Sequence, residues 1–207
     1  MELLPFLIIG AYLLQIVELT FLPLPSETST WEIMKQKTNS EGTGEPPHQL
    51  LKPATSLLGT ILSVGAFCLP AFFLIFPEIY QTLGPIEILR TEVVRWIAAP
   101  LIILASVCTL IAVLTLVSHR RGDHDDVAAS LCHQGLFGKT RNPVTLGLIL
   151  LITGFFLSFP SWGMLAGVVV YIINAHVRVV AEEHLLAREY GREYRRYREE
   201  VPRYLVK

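Results

Sequence analysis

Charged side chains are scarce in this chain. Asp, Glu, Lys and Arg make up 17% of its 207 residues, whereas soluble domains average about 25%. Hydrophobic residues make up 52%. These two proportions argue against an ordinary soluble domain and indicate a membrane protein. The formal net charge of -1 is uninformative in itself, and we expect no nucleic-acid partner.

Cysteine is equally rare. The three cysteines, Cys68, Cys108 and Cys132, are scattered, and the first two lie inside apolar runs. This distribution argues against a disulfide framework and against a zinc site. We therefore expect the three side chains to be small buried hydrophobic groups.

Long apolar runs, in contrast, are frequent. About 20 apolar residues are enough to cross a hydrocarbon layer about 30 Å thick, and five runs are candidate spans. They cover residues 3–22, 54–76, 96–117, 144–159 and 161–177. No positively charged residue precedes the first run, so we predict a retained span rather than a cleaved signal peptide. The sequence thus predicts an all-α integral membrane protein with about five transmembrane helices.

Two polar stretches separate these spans. Residues 23–53 contain Pro and Gly clusters that forbid a long helix, so this loop is either a connector or a flap over a site. Residues 119–126 read H-R-R-G-D-H-D-D. Gly122 loosens the scaffold that metal ligands need, so we expect a solvated loop and no bound metal.

The distribution of Lys and Arg predicts the orientation. The loop before the second span carries three of these residues, the loop before the fourth span carries four, and the segment from Arg178 onward carries eight. The turn at 158–161 carries none. By the positive-inside rule, the N-terminus is predicted outside and the C-terminus in the cytoplasm.

The last third of the chain brackets a helical hairpin with polar clusters. If both helices of the hairpin cross the bilayer, Arg141 and the pair Glu182 and Glu183 return to the same face. One cation and two carboxylates would then share an interfacial pocket. Asn174 and Arg178 precede Glu182 at four-residue spacing and form a polar stripe. Since polar side chains of membrane helices face protein or water, we expect this stripe to face a pocket.

From residue 181 onward the pattern becomes amphipathic. One side carries Leu186, Tyr190, Tyr194, Tyr197 and Val201, and arginines and glutamates occupy the other. We predict a C-terminal interfacial helix.

Two motifs stand at the ends of the hairpin. The first is G-L-F-G-K-T-R-N-P-V-T-L-G from Gly135, and the second is E-E-H-L-L-A-R-E-Y-G-R-E-Y-R-R-Y-R-E-E-V-P from Glu182. Together they resemble the signature of the isoprenylcysteine carboxyl methyltransferase family, which is related to the membrane phospholipid methyltransferases. The matching residues are Gly135, Arg141, Pro143, Gly147, Glu182, Glu183, Leu186, Gly191, Tyr194, Tyr197, Val201 and Pro202. Phe137, Asn142 and Thr145 replace the Tyr, His and Tyr of the family pattern.

The resemblance implies a site for S-adenosylmethionine. The cofactor-binding residues that it implies are Gly135, Leu136, Phe137, Arg141, Asn142, Pro143, Gly147, Glu182 and Glu183. His133, two residues before Gly135, either lies at the edge of this site or is a solvent-facing histidine. Arg141 and Glu183 are the expected catalytic residues. Arg141 at a helix N-terminus suits the cofactor carboxylate, and a glutamate suits its amine. A simpler alternative for Asn142 and Pro143 is a helix start, with Asn as N-cap and Pro in the first turn.

Residues 119–207 would form the methyltransferase core, after three spans in residues 1–118. We predict methyl transfer to a lipophilic or lipidated acceptor reached from the bilayer, first of all a prenylcysteine-type carboxylate. The alternatives are a phospholipid amine N-methyltransferase, a non-catalytic membrane protein on the same fold, and a membrane reductase with similar C-terminal helices.

Overall fold

A computed structural model describes residues 53–120 and 131–205, together with Gly10 near the start of the chain. In the described ranges the chain forms helices joined by short connections, in agreement with the predicted all-α class. The helices are α1 (Pro53–Ile75), α2 (Pro77–Thr82), α3 (Glu92–Arg120), α4 (Pro143–Ser158), α5 (Trp162–Glu189) and α6 (Gly191–Glu200). Three predicted segments lie outside the described residues: the span at 3–22 apart from Gly10, the loop at 23–53 except its last residue, and the Asp/His stretch after residue 120.

Two of these helices are long and apolar enough to cross a membrane, Glu92–His119 within α3 and Trp162–Arg188 within α5. They correspond to the third and fifth predicted spans. The shorter apolar helices of the described residues are Ile61–Ile75 and Pro143–Ser158. The 16 residues of α4 extend about 24 Å at 1.5 Å per residue, which is less than the hydrocarbon thickness of about 30 Å. The described residues therefore contain two helices of spanning length, fewer than the five predicted.

Helix α3 presents a small-residue face to α4 and a large apolar face outward. Its buried small residues are Ala98, Ala105 and Ala112. On α4, a Cβ atom at Gly147 would overlap the side chain of Thr109, and one at Gly154 would lie 2.7 Å from Ile102 Cγ1. Such close packing is typical of helices in lipid. The exposed large side chains of α3 include Trp96, Ile97, Ile103, Leu104, Val107, Ile111 and Leu114.

The turn between α4 and α5 is held by the segment that follows α2. The amide of Ile86 donates to Pro160 O at 2.9 Å, and the amide of Trp162 donates to Gly84 O at 3.0 Å. Ser161 Oγ accepts from the amide of Met164 at 3.2 Å and caps α5. Because these bonds fix the turn, α4 and α5 leave it as one antiparallel hairpin.

Helix α5 continues well past residue 177, where its span was predicted to end, and runs to Glu189. Gly191 then adopts a φ of +50°, a conformation that glycine tolerates best, and α6 begins. As predicted, α6 is amphipathic: Tyr194 and Tyr197 are buried, and its arginines are exposed. The two tyrosines pack with Val201, and Leu131 and Leu186 pack against them.

Candidate functional site

Arg141 and Glu183 meet where the hairpin closes. Arg141 lies two residues before α4, Glu183 lies near the end of α5, and the antiparallel course of the helices brings both to one end. Arg141 Nη1 lies 3.1 Å from Glu183 Oε1, and each side chain is 9% exposed. The structure therefore contains the contact that the chain reversal predicts, and it lies almost entirely out of water.

A second arginine, which the sequence analysis did not single out, also binds Glu183. Arg203 Nε donates to Glu183 Oε1 at 3.0 Å, and its Nη2 donates to Oε2 at 2.7 Å. This two-pronged geometry is the strongest form of an arginine–carboxylate pair. Both guanidinium groups stay protonated at any physiological pH. The three side chains together therefore carry a net charge of about +1.

Arg141 retains an unused hydrogen-bond donor. Its Nη1 also donates to Tyr194 OH at 3.3 Å, whereas its Nε is buried without a hydrogen-bond partner. An unsatisfied buried donor costs about 1–3 kcal/mol, so an acceptor atom supplied by a ligand would be stabilising there. Burial, and then the Glu183 carboxylate, raise the pKa of Tyr194, which keeps its phenol neutral beside the ion pair.

Residues 201–205, here called the C-terminal strap, hold the segment that carries Arg141. The amide of Arg141 donates to Pro202 O at 3.0 Å. Thr140 Oγ1 and Asn142 Nδ2 both donate to Arg203 O, at 3.0 and 3.3 Å. The strap thus fixes the backbone of Arg141 while its own arginine fixes Glu183.

Asn142 does not have the role that a simple helix start predicts. It occupies the N-cap position of α4, but its side chain makes no capping hydrogen bond and binds the strap instead. Pro143 is buried in the first turn, as the helix-start alternative predicts. A helix start therefore explains Pro143, whereas the side chain of Asn142 is explained by its hydrogen bond to the strap.

The turn Gly135–Gly138 docks on α6. Tyr197 OH donates to Phe137 O at 2.6 Å, and burial raises the pKa of Tyr197 to about 12. The ring of His133 stacks edge-on against Tyr197, with a centroid distance of 4.6 Å. Gly135 has a φ of +58° and is exposed, as is His133, whereas Leu136 and Phe137 are half-buried.

Three predicted positions lie away from this contact. Glu182 is exposed and lies outside the ion pair, since the carboxylate that contacts Arg141 belongs to Glu183; its predicted part in cofactor binding stays a prediction. Gly147 is buried against Thr109, where packing accounts for it. Asn174 Nδ2 donates to Ser63 Oγ on α1 at 2.8 Å, so this part of the polar stripe faces a neighbouring helix.

The sequence contained one signal for Arg203. The residue directly follows Val201 and Pro202, which belong to the second motif, and is therefore a cation at the edge of a recognised block. The sequence did not predict that Arg203 binds Glu183, because the strap has no helical or extended periodicity that would place its side chains.

Comparison with known proteins gives one finding. No curated protein and no solved structure matches the chain. One family model matches part of the chain. The matched part covers Arg141 and Glu183 and ends before Tyr194 and Arg203. The match does not distinguish a prenylcysteine acceptor from a phospholipid acceptor. Residues 93–193, just under half of the chain, match the phospholipid methyltransferase family, a family of membrane methyltransferases that generally use S-adenosylmethionine.

Proposed function

We propose that this protein is a membrane-embedded methyltransferase that uses S-adenosylmethionine and methylates a lipophilic acceptor at the Arg141–Glu183 site. The single observation that carries the proposal is the buried Arg141, whose Nε has no partner. Within the described residues this donor lies inside a cluster of net positive charge, in the part of the chain that matches a methyltransferase family. An anionic ligand group suits such a position.

The residues present fit this cofactor. Its carboxylate would be held by Arg141, and its amine by Glu182, which is exposed and adjacent to the cluster. Glu183 suits that amine less well, since both of its oxygens already accept from guanidinium groups. When bound, S-adenosylmethionine supplies an electrophilic methyl group on its sulfonium. The role of the protein is then to align the acceptor with that group.

We further propose that the acceptor is a carboxylate of the prenylcysteine type. A carboxylate oxygen forms its bond to the methyl carbon as the carbon–sulfur bond breaks, and no proton has to be removed. An ammonium acceptor must first lose a proton. Arginine cannot accept it, both oxygens of Glu183 already accept from guanidinium groups, and two guanidinium groups repel an ammonium.

A phospholipid amine is the second candidate, because the matching family is described by phospholipid methylation. For that acceptor the exposed His133, in contact with Tyr197, is the remaining group that could take the proton. The distribution of Lys and Arg favours a cytoplasmic site for either acceptor.

The test is binding and transfer by the purified protein in lipid nanodiscs. We expect S-adenosylhomocysteine, the demethylated cofactor product, to bind by calorimetry. We expect labelled methyl to enter S-farnesyl-N-acetylcysteine, as a base-labile ester, in preference to phosphatidylethanolamine in the nanodisc. Transfer to phosphatidylethanolamine alone would establish the second candidate. No binding and no transfer would refute the methyltransferase proposal, and binding of a nicotinamide cofactor instead would indicate the reductase.

Arg141→Lys tests the site itself. Lysine keeps the charge but lacks the planar group that contacts Glu183 and Tyr194 while presenting Nε. We expect a loss of about tenfold to hundredfold in kcat/KM, the scale of one charge-assisted hydrogen bond. Arg196→Lys is the matched control, since Arg196 is 83% exposed and pairs with Glu200 on the surface of α6. Equal activity of the two variants would remove Arg141 from the site.

A further inference from the structure

We propose that Arg203 is a specificity-determining residue: its positive charge leaves the cluster one charge in excess and thereby selects a carboxylate ligand. This inference rests on the proposed function and deepens it. The family match ends ten residues before Arg203.

The charge balance follows from the contacts of Glu183. Arg203 binds both carboxylate oxygens, and Arg141 Nη1 lies 3.1 Å from Oε1. Without Arg203, Arg141 and Glu183 would form a neutral one-to-one pair, with no excess charge to attract an anion. With Arg203 present, Glu183 is neutralised from the side of the strap, and the charge of Arg141 is left for a ligand.

The environment makes this excess charge effective. The side chains of Arg141 and Glu183 are nearly out of water, so solvent and salt screen them weakly. The Arg203 side chain is 36% exposed, and its own field is therefore screened more. Arg198 on α6 adds positive potential at Tyr194.

Arg203 is also held in place by hydrogen bonds to its carbonyl oxygen and by a contact of the next residue. Thr140 and Asn142 donate to its carbonyl oxygen. The hydroxyl of the next residue, Tyr204, lies 3.3 Å from His176 Nδ1 on α5. These hydrogen bonds fix the backbone of Arg203; an exposed arginine paired only through its side chain would lack them. The strap therefore presents a fixed cation to Glu183.

The selected carboxylate has two sources, the cofactor and the acceptor, and two measurements distinguish them. The first is the affinity for S-adenosylhomocysteine. The second is the KM for S-farnesyl-N-acetylcysteine at saturating S-adenosylmethionine. We expect Arg203→Met to weaken one of these by about tenfold to hundredfold. A loss in the first places the cofactor carboxylate at the cluster, and a loss in the second places that of the acceptor.

A double variant separates charge from structure. In Arg203→Met with Glu183→Gln, Arg141 again carries an uncompensated charge. We expect this protein to regain at least about half of the lost factor on a logarithmic scale, because the ligand sees the same net charge. If Arg203 only supported the fold, removing Glu183 as well would rescue nothing. Arg196→Met is the control for loss of an exposed arginine that pairs with a glutamate.

The outcomes are distinct. Wild-type affinity and KM in a folded Arg203→Met protein would overturn the inference while leaving the proposed function intact. A double variant no better than the single one, at equal melting temperature, would also overturn it. If Arg203→Met does not fold, the double variant and Arg203→Lys test the inference instead. Both keep the excess positive charge, so both are expected to keep the affinity for the carboxylate ligand within about tenfold of wild type. A larger loss in either variant would overturn the inference. A wild-type protein that neither binds the product nor transfers methyl would refute the proposed function and this inference with it.

Discussion

Glu183→Gln removes one negative charge and almost no volume, at the centre of the three-residue cluster. The change leaves Arg141 and Arg203 facing a neutral amide with one acceptor oxygen, so one oxygen acceptor of the present cluster becomes an NH2 donor. Removing one partner of a buried ion pair costs about 3–5 kcal/mol. The Arg203 half of the cluster is partly hydrated, which reduces that figure. We expect the free energy of unfolding to fall by about 2–3 kcal/mol, which for a chain of this size lowers the melting temperature by roughly 4–12 °C.

The neighbouring residue provides the control. Glu182→Gln is the same chemical change one position earlier on α5, at an exposed side chain, and surface substitutions usually change stability by less than about 0.5 kcal/mol. Both variants would be melted in the same detergent and digested with trypsin, which we expect to cut faster after Arg203 only in Glu183→Gln. Equal melting temperatures for the two variants would refute the view that Glu183 joins the strap to the hairpin.

Two further predictions concern the docked turn and the orientation. Burial raises the pKa of Tyr197 from 10.0 to about 12, so the contribution of this tyrosine to stability is complete below pH 10 and is lost as the pH rises through 12. Tyr197→Phe lacks the titrating hydroxyl and its bond to Phe137 O, and its melting temperature should therefore fall less than that of wild type between pH 10 and 12. An equal fall in both proteins would contradict this role of Tyr197. A cysteine that replaces Trp162, which is 64% exposed, should be labelled only from outside, and one that replaces Arg195 only from inside. Ser161 is fully buried and is therefore unsuitable as a labelling position. Labelling of both cysteines from one side would rule out the predicted topology.

The contact between Arg141 and Glu183 was predictable because it depends on chain reversal alone. A short turn between two apolar helices returns the chain to its starting level, whatever the packing. Chain reversal does not choose between Glu182 and Glu183, although Glu183 was the expected catalytic residue. Adjacent residues on a helix point about 100° apart, and the rotation of α5 is set by which of its side chains the neighbours bury, among them Ala175 and Val179.

The short length of α4 was visible in the sequence, because the predicted run at 144–159 has 16 residues, as many as α4. The role of Arg203 was not visible. The strap is recognised through carbonyl oxygens of Pro202 and Arg203, which every residue type possesses. No side-chain pattern could therefore have predicted that Asn142 binds the strap instead of capping α4.

The position of the strap in the chain sets the order in which the site can assemble. Glu183 and its partner Arg203 are separated by 20 residues, so at about 5–20 residues per second the ribosome needs about 1–4 s to make the second after the first. During this interval α4 and α5 can already pair, and Arg141 can already meet Glu183. The nascent hairpin then contains a neutral ion pair, which is less costly to place at a bilayer surface than a lone cation. Arg203 arrives afterwards and converts a structure suited to insertion into one suited to binding.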